Sequence, residues 1–516
     1  MKRFMKRFTA GILACSMLFT MGTVVSPVQT KAAKKPVLAA KKKTVYVGKT
    51  YTLKVKKNGT KKIVKTKWKA SNSKIVSLSK KKSTSVKIKA KKTGTAKITA
   101  TVSYQRKGKK KTYKTKLTCK ITTKIKKSVA TIRKENITAA VTNYESMAKL
   151  AEKYGFKFGT VINYNSLFDS YYKKLIPHHF NSLTAGNEFK AYSLLNQSAS
   201  KKSADGMPVM DYSKADEIIE FARDNGIKMR GHTLVWHAYM SDWFFREGYD
   251  TSKGYVGKEV MQQRLKYYIE NVLTHFETKY PGVIYCWDVV NEAVGDSAAD
   301  AKSGDAKRIR TDNQFYKILG ADYVEQSFKY AKDTLEKLNS NVKLYYNDYN
   351  AFHSDKRTAI CNLVKSINSY EKDAAGNDRK LCDGVGMQGY IGGYGQQPGC
   401  MNDNDIASIK QSIETYAGLG VEVQLTEMAV RNYVKTSANV AKHAEFYGKL
   451  FQMFIQVNSG ETKPLTGVSI WGLFDNPDAV EGSYEYSMNS PYGGLFNENY
   501  GVKNSFVQAY NVLKNS

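Results

Sequence analysis

The sequence predicts an α/β protein, a (β/α)8 barrel preceded by a small all-β unit, on three observations. The chain has 516 residues, more than one ordinary domain holds unless that domain is a barrel. Residues 34–127 carry 34 Lys and Arg and no Asp or Glu, whereas residues 128–516 carry 43 basic and 45 acidic residues. Apolar runs of strand length alternate with amphipathic helical stretches only in the second part. Two differently built units are therefore expected.

Residues 1–32 predict a signal peptide. Four basic residues stand within the first seven, an apolar stretch follows, and Thr30 and Ala32 occupy the positions that a signal peptidase reads. Cys15 follows Ile-Leu-Ala as in a lipoprotein signal, but the apolar stretch continues to Val25, which favours plain secretion. No later stretch approaches the length of a membrane span. We expect a secreted protein, extracellular or associated with a cell wall, without membrane insertion.

Residues 36–124 predict a small β-sandwich. Short alternating stretches are separated by glycines, and no long helical pattern occurs. The segments "TKWKASNSKIVSLS" and "TGTAKITATV" resemble the bacterial Ig-like domain of group 2, and the resemblance makes Trp68 a core residue. Residues 125–135 are interpreted as a linker.

The lysine excess of this unit has two interpretations. Its lysines fall mostly on alternate strand positions and loops, so solubility alone could explain them. Yet so many like charges repel one another, and a complete lack of acidic residues exceeds what solubility requires. The second interpretation is retention on a polyanion, such as an acidic wall polymer or a polysaccharide that carries uronic acids. Because we expect the protein to be exported, we do not expect nucleic acid to be its partner.

The cysteines indicate neither a metal site nor a disulfide framework. Cys119, Cys286, Cys361, Cys382 and Cys400 are thinly spread after the signal peptide, with no CxxC pair. Buried free thiols are the first interpretation, and a disulfide between Cys361 and Cys382 stays open. No cluster of metal ligands occurs in the sequence, and we expect no cofactor.

Residues 136–516 predict a (β/α)8 TIM barrel. Eight strand-like runs alternate with helical stretches over roughly 380 residues, the pattern of a barrel whose active site is built at the carboxyl ends of the strands. In order, the runs are "KFGTVINYN", "HFNSLTAGNEFK", "KMRGHTLVWH", "VIYCWDVVNEA", "VKLYYNDYN", "DGVGMQGYI", "VEVQLTEMAV" and "LTGVSIWGLFD".

Two of these runs end in a glutamate. The fourth ends in Asn291 and Glu292, and the seventh carries Glu427. Burying a carboxylate without a partner is costly, so a glutamate at such a position needs a reason. Strands four and seven lie nearly opposite across a barrel mouth, and two facing carboxylates suit glycoside hydrolysis. A lone glutamate could equally belong to a structural ion pair, but a pair of them makes that alternative weaker.

Four motifs carry a resemblance to glycoside hydrolase family 10, the endo-β-1,4-xylanases. They are "RGHTLVWH" at 230–237, "WDVVNEA" at 287–293, "QLTE" at 424–427 and "WG" at 471–472. The resemblance implies a retaining mechanism with Glu292 as acid/base and Glu427 as nucleophile, their carboxyl groups about 5 to 5.5 Å apart. It also implies a set of substrate-binding residues: Asn187, Lys190, His232, Trp236, Asn291, which would bind the sugar 2-hydroxyl, Gln388 and Trp471.

Five positions depart from the family pattern: Gly186, Tyr239, Tyr390, Ala429 and Ala479. Gly186 replaces a carboxylate that binds substrate. Tyr390 and Ala429 replace a His and an Asp that form a charged network around the nucleophile. Losing both is consistent, because a Tyr390 hydroxyl could donate directly to Glu427. Tyr390 is therefore included among the binding residues, while the other changes bear on substrate preference.

The sequence thus predicts a secreted retaining endo-β-1,4-xylanase acting on xylan of plant hemicellulose. The first alternative is the same chemistry on another β-linked glycan, a β-glucan or a decorated xylan. The second, of a different class, is a polysaccharide-binding surface protein without catalytic activity.

Overall fold

The computed structural model describes residues 33–392 and 401–516. The predicted signal peptide and Cys400 lie outside the described residues. The chain divides into two compact units between Lys127 and Ser128. Among the described residues, no helix combines the length and the apolar character that crossing a bilayer demands.

The first unit contains two four-stranded sheets around one core. Trp68 lies in that core with 7% of its surface exposed, and its indole N–H donates to the carbonyl of Lys82. The sheet orders are β1-β3-β6-β5 and β2-β8-β7-β4. The all-β prediction is confirmed, and the Ig-like assignment stays a prediction. The strands are β1 Val37–Leu38, β2 Lys42–Tyr46, β3 Thr50–Lys56, β4 Lys62–Ala70, β5 Val76–Ser79, β6 Ser85–Ala90, β7 Gly94–Gln105 and β8 Thr112–Lys124.

The second unit is a closed barrel of parallel strands, as predicted. Its strand order is β14-β13-β12-β11-β10-β9-β17-β16, and pairing between β14 and β16 closes the ring. Each predicted run supplies one strand, and the sixth continues after Gln388 and Gly389 as the short β15. The strands are β9 Lys157–Ile162, β10 Ser182–Ala185, β11 Lys228–Trp236, β12 Ile284–Asn291, β13 Lys343–Asp348, β14 Gly384–Met387, β15 Tyr390–Ile391, β16 Glu422–Val430 and β17 Leu465–Ile470.

Parallel strands covered by helices read as continuous apolar runs, because both faces of the sheet are buried. Every residue of β14 is buried, and so is every residue of β16 after Glu422. The helices are α1 Val129–Asn143, α2 Met147–Glu152, α3 Tyr172–His179, α4 Ala191–Leu194, α5 Gln197–Ser200, α6 Ser213–Asp224, α7 Lys258–Lys279, α8 Gln314–Leu319, α9 Tyr323–Lys337, α10 Ser354–Asn368, α11 Asp403–Ala417, α12 Ser437–Val457 and α13 Asn504–Asn515.

The start of the second unit differs from the predicted boundary, whereas the described cysteines agree with the first interpretation, free thiols. Helix α1 begins at Val129, inside the segment interpreted as a linker, with the Ser128 hydroxyl capping its first turn. The second unit therefore starts about eight residues before position 136. Cys361 and Cys382, for which a disulfide stayed open, are both free thiols, as are Cys119 and Cys286.

Candidate active site

The carboxyl ends of the barrel strands surround a cavity of about 250 Å³. Glu292 follows β12, Glu427 lies in β16, and both line this cavity. The barrel therefore brings together two glutamates that are 135 positions apart in the sequence. Six of the residues predicted to bind substrate line the same cavity: Lys190, His232, Trp236, Gln388, Tyr390 and Trp471.

Glu292 has a left-handed backbone conformation, with φ of 59°. Neighbouring residues of an extended strand point to opposite sides, so a regular strand would turn Asn291 and Glu292 apart. The turn at Glu292 breaks that alternation, and both side chains reach the amide nitrogen of Gln388, at 3.4 Å from Asn291 Oδ1 and 2.6 Å from Glu292 Oε1. The conformation is unfavourable for a residue with a Cβ, and such outliers concentrate at functional sites.

The carboxyl group of Glu292 is held in place by two donors. Gln388 Nε2 donates to Oε1, and the indole N–H of Trp236 donates to Oε2 at 2.9 Å. Burial raises the pKa of Glu292 from its ordinary value of 4.5 to about 7, and the neighbouring carboxylates Asp348 and Glu427 act in the same direction. Glu292 can therefore carry a proton near neutral pH, as a general acid must.

Glu427 receives two hydrogen bonds from a different set of donors. The Tyr390 hydroxyl donates to Oε2 at 2.6 Å, and Asn347 Nδ2 donates to Oε1 at 3.3 Å. His232 Nε2 lies 3.9 Å from Oε1. Donors to a carboxylate favour its ionised form. Burial raises the pKa of Tyr390 well above its usual value, and the Glu427 charge adds to this effect, so the hydroxyl remains a donor.

Asn291 has an amide nitrogen free for a ligand. Its Oδ1 accepts from Asn347 Nδ2 at 2.9 Å, while its own Nδ2 is buried and has no hydrogen-bond partner among the described residues. An unpaired buried donor is costly, and it calls for an occupant that accepts a hydrogen bond. A sugar hydroxyl beside the two carboxyl groups would satisfy it, in agreement with the role that the family resemblance implies.

A buried chain of charged groups positions His232. Its Nδ1 lies 2.9 Å from Asp288 Oδ2, and the other carboxylate oxygen of Asp288 contacts the Arg230 guanidinium. Burial raises the pKa of Asp288, but Arg230 and then His232 outweigh it and lower the pKa overall. This chain keeps the His232 ring aimed at the cavity beside Glu427. Arg230 and Asp288 belong to quoted sequence motifs, but the sequence did not assign them this role.

Lys190, Trp236 and Tyr239 line the mouth of the cavity together. Lys190 Nζ lies 5.0 Å from the ring centroids of both Trp236 and Tyr239, whose rings are 4.4 Å apart. Nζ also donates to Asn187 Oδ1 at 3.3 Å. Burial lowers the pKa of Lys190, while the charges of nearby glutamates oppose this. An aromatic platform beside polar donors suits a pyranose ring, which has an apolar face and a hydroxyl rim.

The cleft continues past this platform into a second cavity of about 580 Å³. Lys190, Trp236, Tyr239 and Trp471 line both cavities, and Asn187 lines the second. An elongated cleft of this kind accommodates a chain of sugar units rather than a single one.

Gly186 lies in this second cavity, where the family pattern has a carboxylate. A Cβ at Gly186 would meet Asn163 Oδ1 at 2.2 Å and a methyl group of Val161 at 3.3 Å. The Asn163 amide, at the end of β9, therefore occupies the space that a side chain at 186 would need. Here a neutral amide stands in place of a charge, and no pattern in the sequence alone showed this.

Several residues of the site were missed from the sequence, and three of them, Asn347, Asp348 and Tyr484, act close to the two glutamates or to Tyr390. Asn347 contacts both Asn291 and Glu427, and Asp348 raises the pKa of Glu292. They are the last two residues of β13, within the fifth run "VKLYYNDYN", so their place at a strand tip could have drawn attention. Tyr484 lines the cavity with its hydroxyl 3.5 Å from that of Tyr390. It belongs to an irregular segment after β17, for which the sequence held no signal.

Comparisons with known proteins agree with this site. A putative endo-1,4-beta-xylanase of Caldicellulosiruptor saccharolyticus is 35% identical over 294 residues, which are 56% of this chain and 86% of that protein. An exoglucanase of Acetivibrio thermocellus is 34% identical over 326 residues, 62% of this chain but only 26% of that longer protein.

A solved xylanase of Thermoanaerobacterium saccharolyticum, in complex with xylotriose, is 30% identical with a TM-score of 0.57. The match covers 71% of this chain and 99% of that one. Residues 146–512 match the model of glycosyl hydrolase family 10. With the barrel, the two glutamates and these matches in agreement, the chain belongs to glycosyl hydrolase family 10.

Proposed function

We propose that the protein is a retaining endo-β-1,4-xylanase that hydrolyses xylan through a covalent glycosyl-enzyme intermediate. One observation carries the proposal: two glutamates from nearly opposite strands line one cavity. Burial gives Glu292 the raised pKa of a general acid, while Glu427 accepts hydrogen bonds from Tyr390 and Asn347. This division of roles is what a retaining glycosidase requires. The xylanase relatives and the xylotriose complex of a similar barrel support xylan as the substrate.

In the first step, a Glu427 oxygen attacks the anomeric carbon and forms an ester bond while the glycosidic C–O bond breaks. Glu292 gives its proton to the leaving oxygen and becomes a carboxylate. In the second step, Glu292 takes a proton from water, the hydroxide replaces Glu427 at the anomeric carbon, and both carboxyl groups return to their starting states. The unpaired Asn291 Nδ2 would donate to the 2-hydroxyl during both steps.

The test is to trap the intermediate. An activated 2-deoxy-2-fluoro xylobioside should label the protein once, and peptide mass spectrometry should place the sugar on Glu427. Glu427→Gln is the matched control and should take up no label. A label on Glu292, or none on a folded protein, would contradict the assignment and favour a binding protein without catalytic activity.

The same chemistry on another β-linked glycan is a second candidate. The exoglucanase relative and the loss of a side chain at Gly186, where the Asn163 amide fills the space, favour it. Reducing-end assays on glucuronoxylan, barley β-glucan and cellulose decide between the two. A higher kcat/KM on xylan than on either glucan is the expected result.

Two further parts of the proposal concern the N-terminal region. The basic start, apolar middle and small-residue end of residues 1–32 support export, and N-terminal sequencing of protein from culture fluid should start near residue 33.

The 34 basic residues of 34–127, with no acidic residue among them, support retention of the enzyme on an acidic wall polymer. Salt-dependent adsorption of the full chain to cell walls tests this second part.

A further inference from the structure

The lysines of the N-terminal unit are unevenly placed on its two sheets. On the outer face of sheet β2-β8-β7-β4, Lys97 pairs directly with Lys120, which pairs on its other side with Lys42. All three are exposed. Paired positions lie roughly 5 Å apart, and like charges directly opposite each other are destabilising. This row therefore has a built-in repulsion that a bound anion would relieve.

Two further rows continue the pattern on the same face. Thr101 lies between Lys67 and Lys116, and Ser103 lies between Lys65 and Lys114. Across the strands, a small hydroxyl side chain of β7 thus lies between two lysines in each of these rows, and the exposed lysines can reach out over it. We call this outer face of β2-β8-β7-β4 the lysine face.

The second sheet, β1-β3-β6-β5, provides an internal comparison. There Lys54 pairs with Ser85, Lys87 with Thr52 and Lys89 with Thr50. No lysine of this sheet pairs with another lysine in the described strands. Repulsion within a row is therefore specific to the lysine face, although both sheets carry positive charge.

The basic residues of the N-terminal unit are almost all lysines, and this bears on the kind of anion that the unit can bind. Of the 34 basic residues in 34–127, only Arg106 is an arginine. Arginine binds carboxylates and phosphates bidentately, whereas lysine acts as a point charge and is itself a common phosphate ligand. A row of exposed point charges fits a linear, repetitive polyanion better than a single small ligand.

We propose that the lysine face is the docking surface for a linear wall polymer with phosphodiester groups, of the poly(glycerol phosphate) type. This inference rests on the proposal that the N-terminal unit retains the enzyme on an acidic wall polymer, and it names the surface and the chemical class. Binding releases counterions from the polymer, so affinity falls steeply with salt.

The experiment uses the full chain and two variants with equal loss of charge. One replaces Lys67, Lys97, Lys116 and Lys120 by Gln on the lysine face, and the other replaces Lys54, Lys56, Lys87 and Lys89 on the second sheet. Binding to immobilised, deacylated poly(glycerol phosphate) is measured from 25 to 300 mM NaCl. Far-ultraviolet circular dichroism and turnover of a soluble xylo-oligosaccharide confirm that each variant is folded.

The lysine-face variant should bind at least tenfold more weakly, and its salt slope should fall by about 3, at about 0.7 per lost phosphate contact. The second-sheet variant should change affinity less than threefold. Equal losses in both variants would overturn the choice of face. Equally tight binding of polygalacturonate or of duplex DNA would overturn the phosphodiester wall polymer as the partner. No binding to any of the three polymers by the unaltered chain would instead end the underlying retention proposal.

Discussion

The hydroxyl of Tyr390 lies 2.6 Å from Oε2 of Glu427 and donates a hydrogen bond to it. Ala429 packs beside Tyr390 in a small apolar cluster that includes Trp471. The sequence predicted this contact because Tyr390 and Ala429 replace a His and an Asp of the family pattern, and the two replacements are consistent only when both occur. The structure adds that the phenol is buried and stays protonated, so Glu427, the proposed nucleophile, has a neutral hydrogen-bond donor at this oxygen.

We expect Tyr390→Phe to lower kcat/KM on xylan by roughly 10- to 100-fold, because a hydrogen bond to a charged group contributes about 1.5 to 3 kcal/mol. Tyr268→Phe, at a buried tyrosine of α7 away from the cavity, is the control. An unchanged kcat/KM in Tyr390→Phe would argue against a role for this hydrogen bond in catalysis.

We expect Glu292→Gln to separate two kinds of substrate. Cleavage of xylan needs a proton for the leaving oxygen and should fall by about 10² to 10⁴-fold. Formation of the glycosyl-enzyme from an aryl xylobioside with a good leaving group needs no such proton and should be nearly unaffected, as seen in the burst of released phenol. Equal loss on both substrates would contradict the acid/base role.

The pKa of Glu292 predicts the basic limb of activity. The group is a competent acid only while protonated, so kcat/KM on xylan should decline above pH about 7 and remain high just below it. Because the Asp348 charge raises this pKa, Asp348→Asn should move the decline to lower pH. The pH profiles of both proteins on one xylan measure this, with thermal unfolding as a check on folding. A decline that stays in place would assign the limb to another group.

Gly186 and Asn163 should behave as a coupled pair. Gly186→Glu alone places a Cβ against Asn163 Oδ1 and should cost about 1 to 3 kcal/mol of stability, as overpacking does. Adding Asn163→Gly should recover most of this loss and place a carboxylate in the cleft. Chemical denaturation of the two single variants and the double variant completes the cycle. Additive effects would show that the two side chains do not compete for this space.

Much of the fold could be predicted because its signals are local. Eight apolar runs predict eight buried strands, and the absence of acidic residues before position 128 separates the two units without any contact information. The first residues of α1 were assigned to the linker because "VATIRKEN" shows little amphipathic character, and its helix is recognised only with its Ser128 cap and its packing in place.

The sequence by itself determined the chemistry at two strand tips. Asn291 and Glu292 belong to the motif "WDVVNEA", Glu427 belongs to "QLTE", and both motifs are recognised from consecutive residues. Only the tertiary structure decided what surrounds them. Asp348 raises the pKa of Glu292, and Asn347 donates a hydrogen bond to Glu427. Asn163 fills the space that a side chain at position 186 would need. Each of these pairs joins residues from different strands, and both a pKa and a steric clash depend on distance through space. Pairing of β2, β8 and β7 likewise brings Lys42, Lys120 and Lys97 into one row. A count of lysines along the sequence does not show that these three are neighbours.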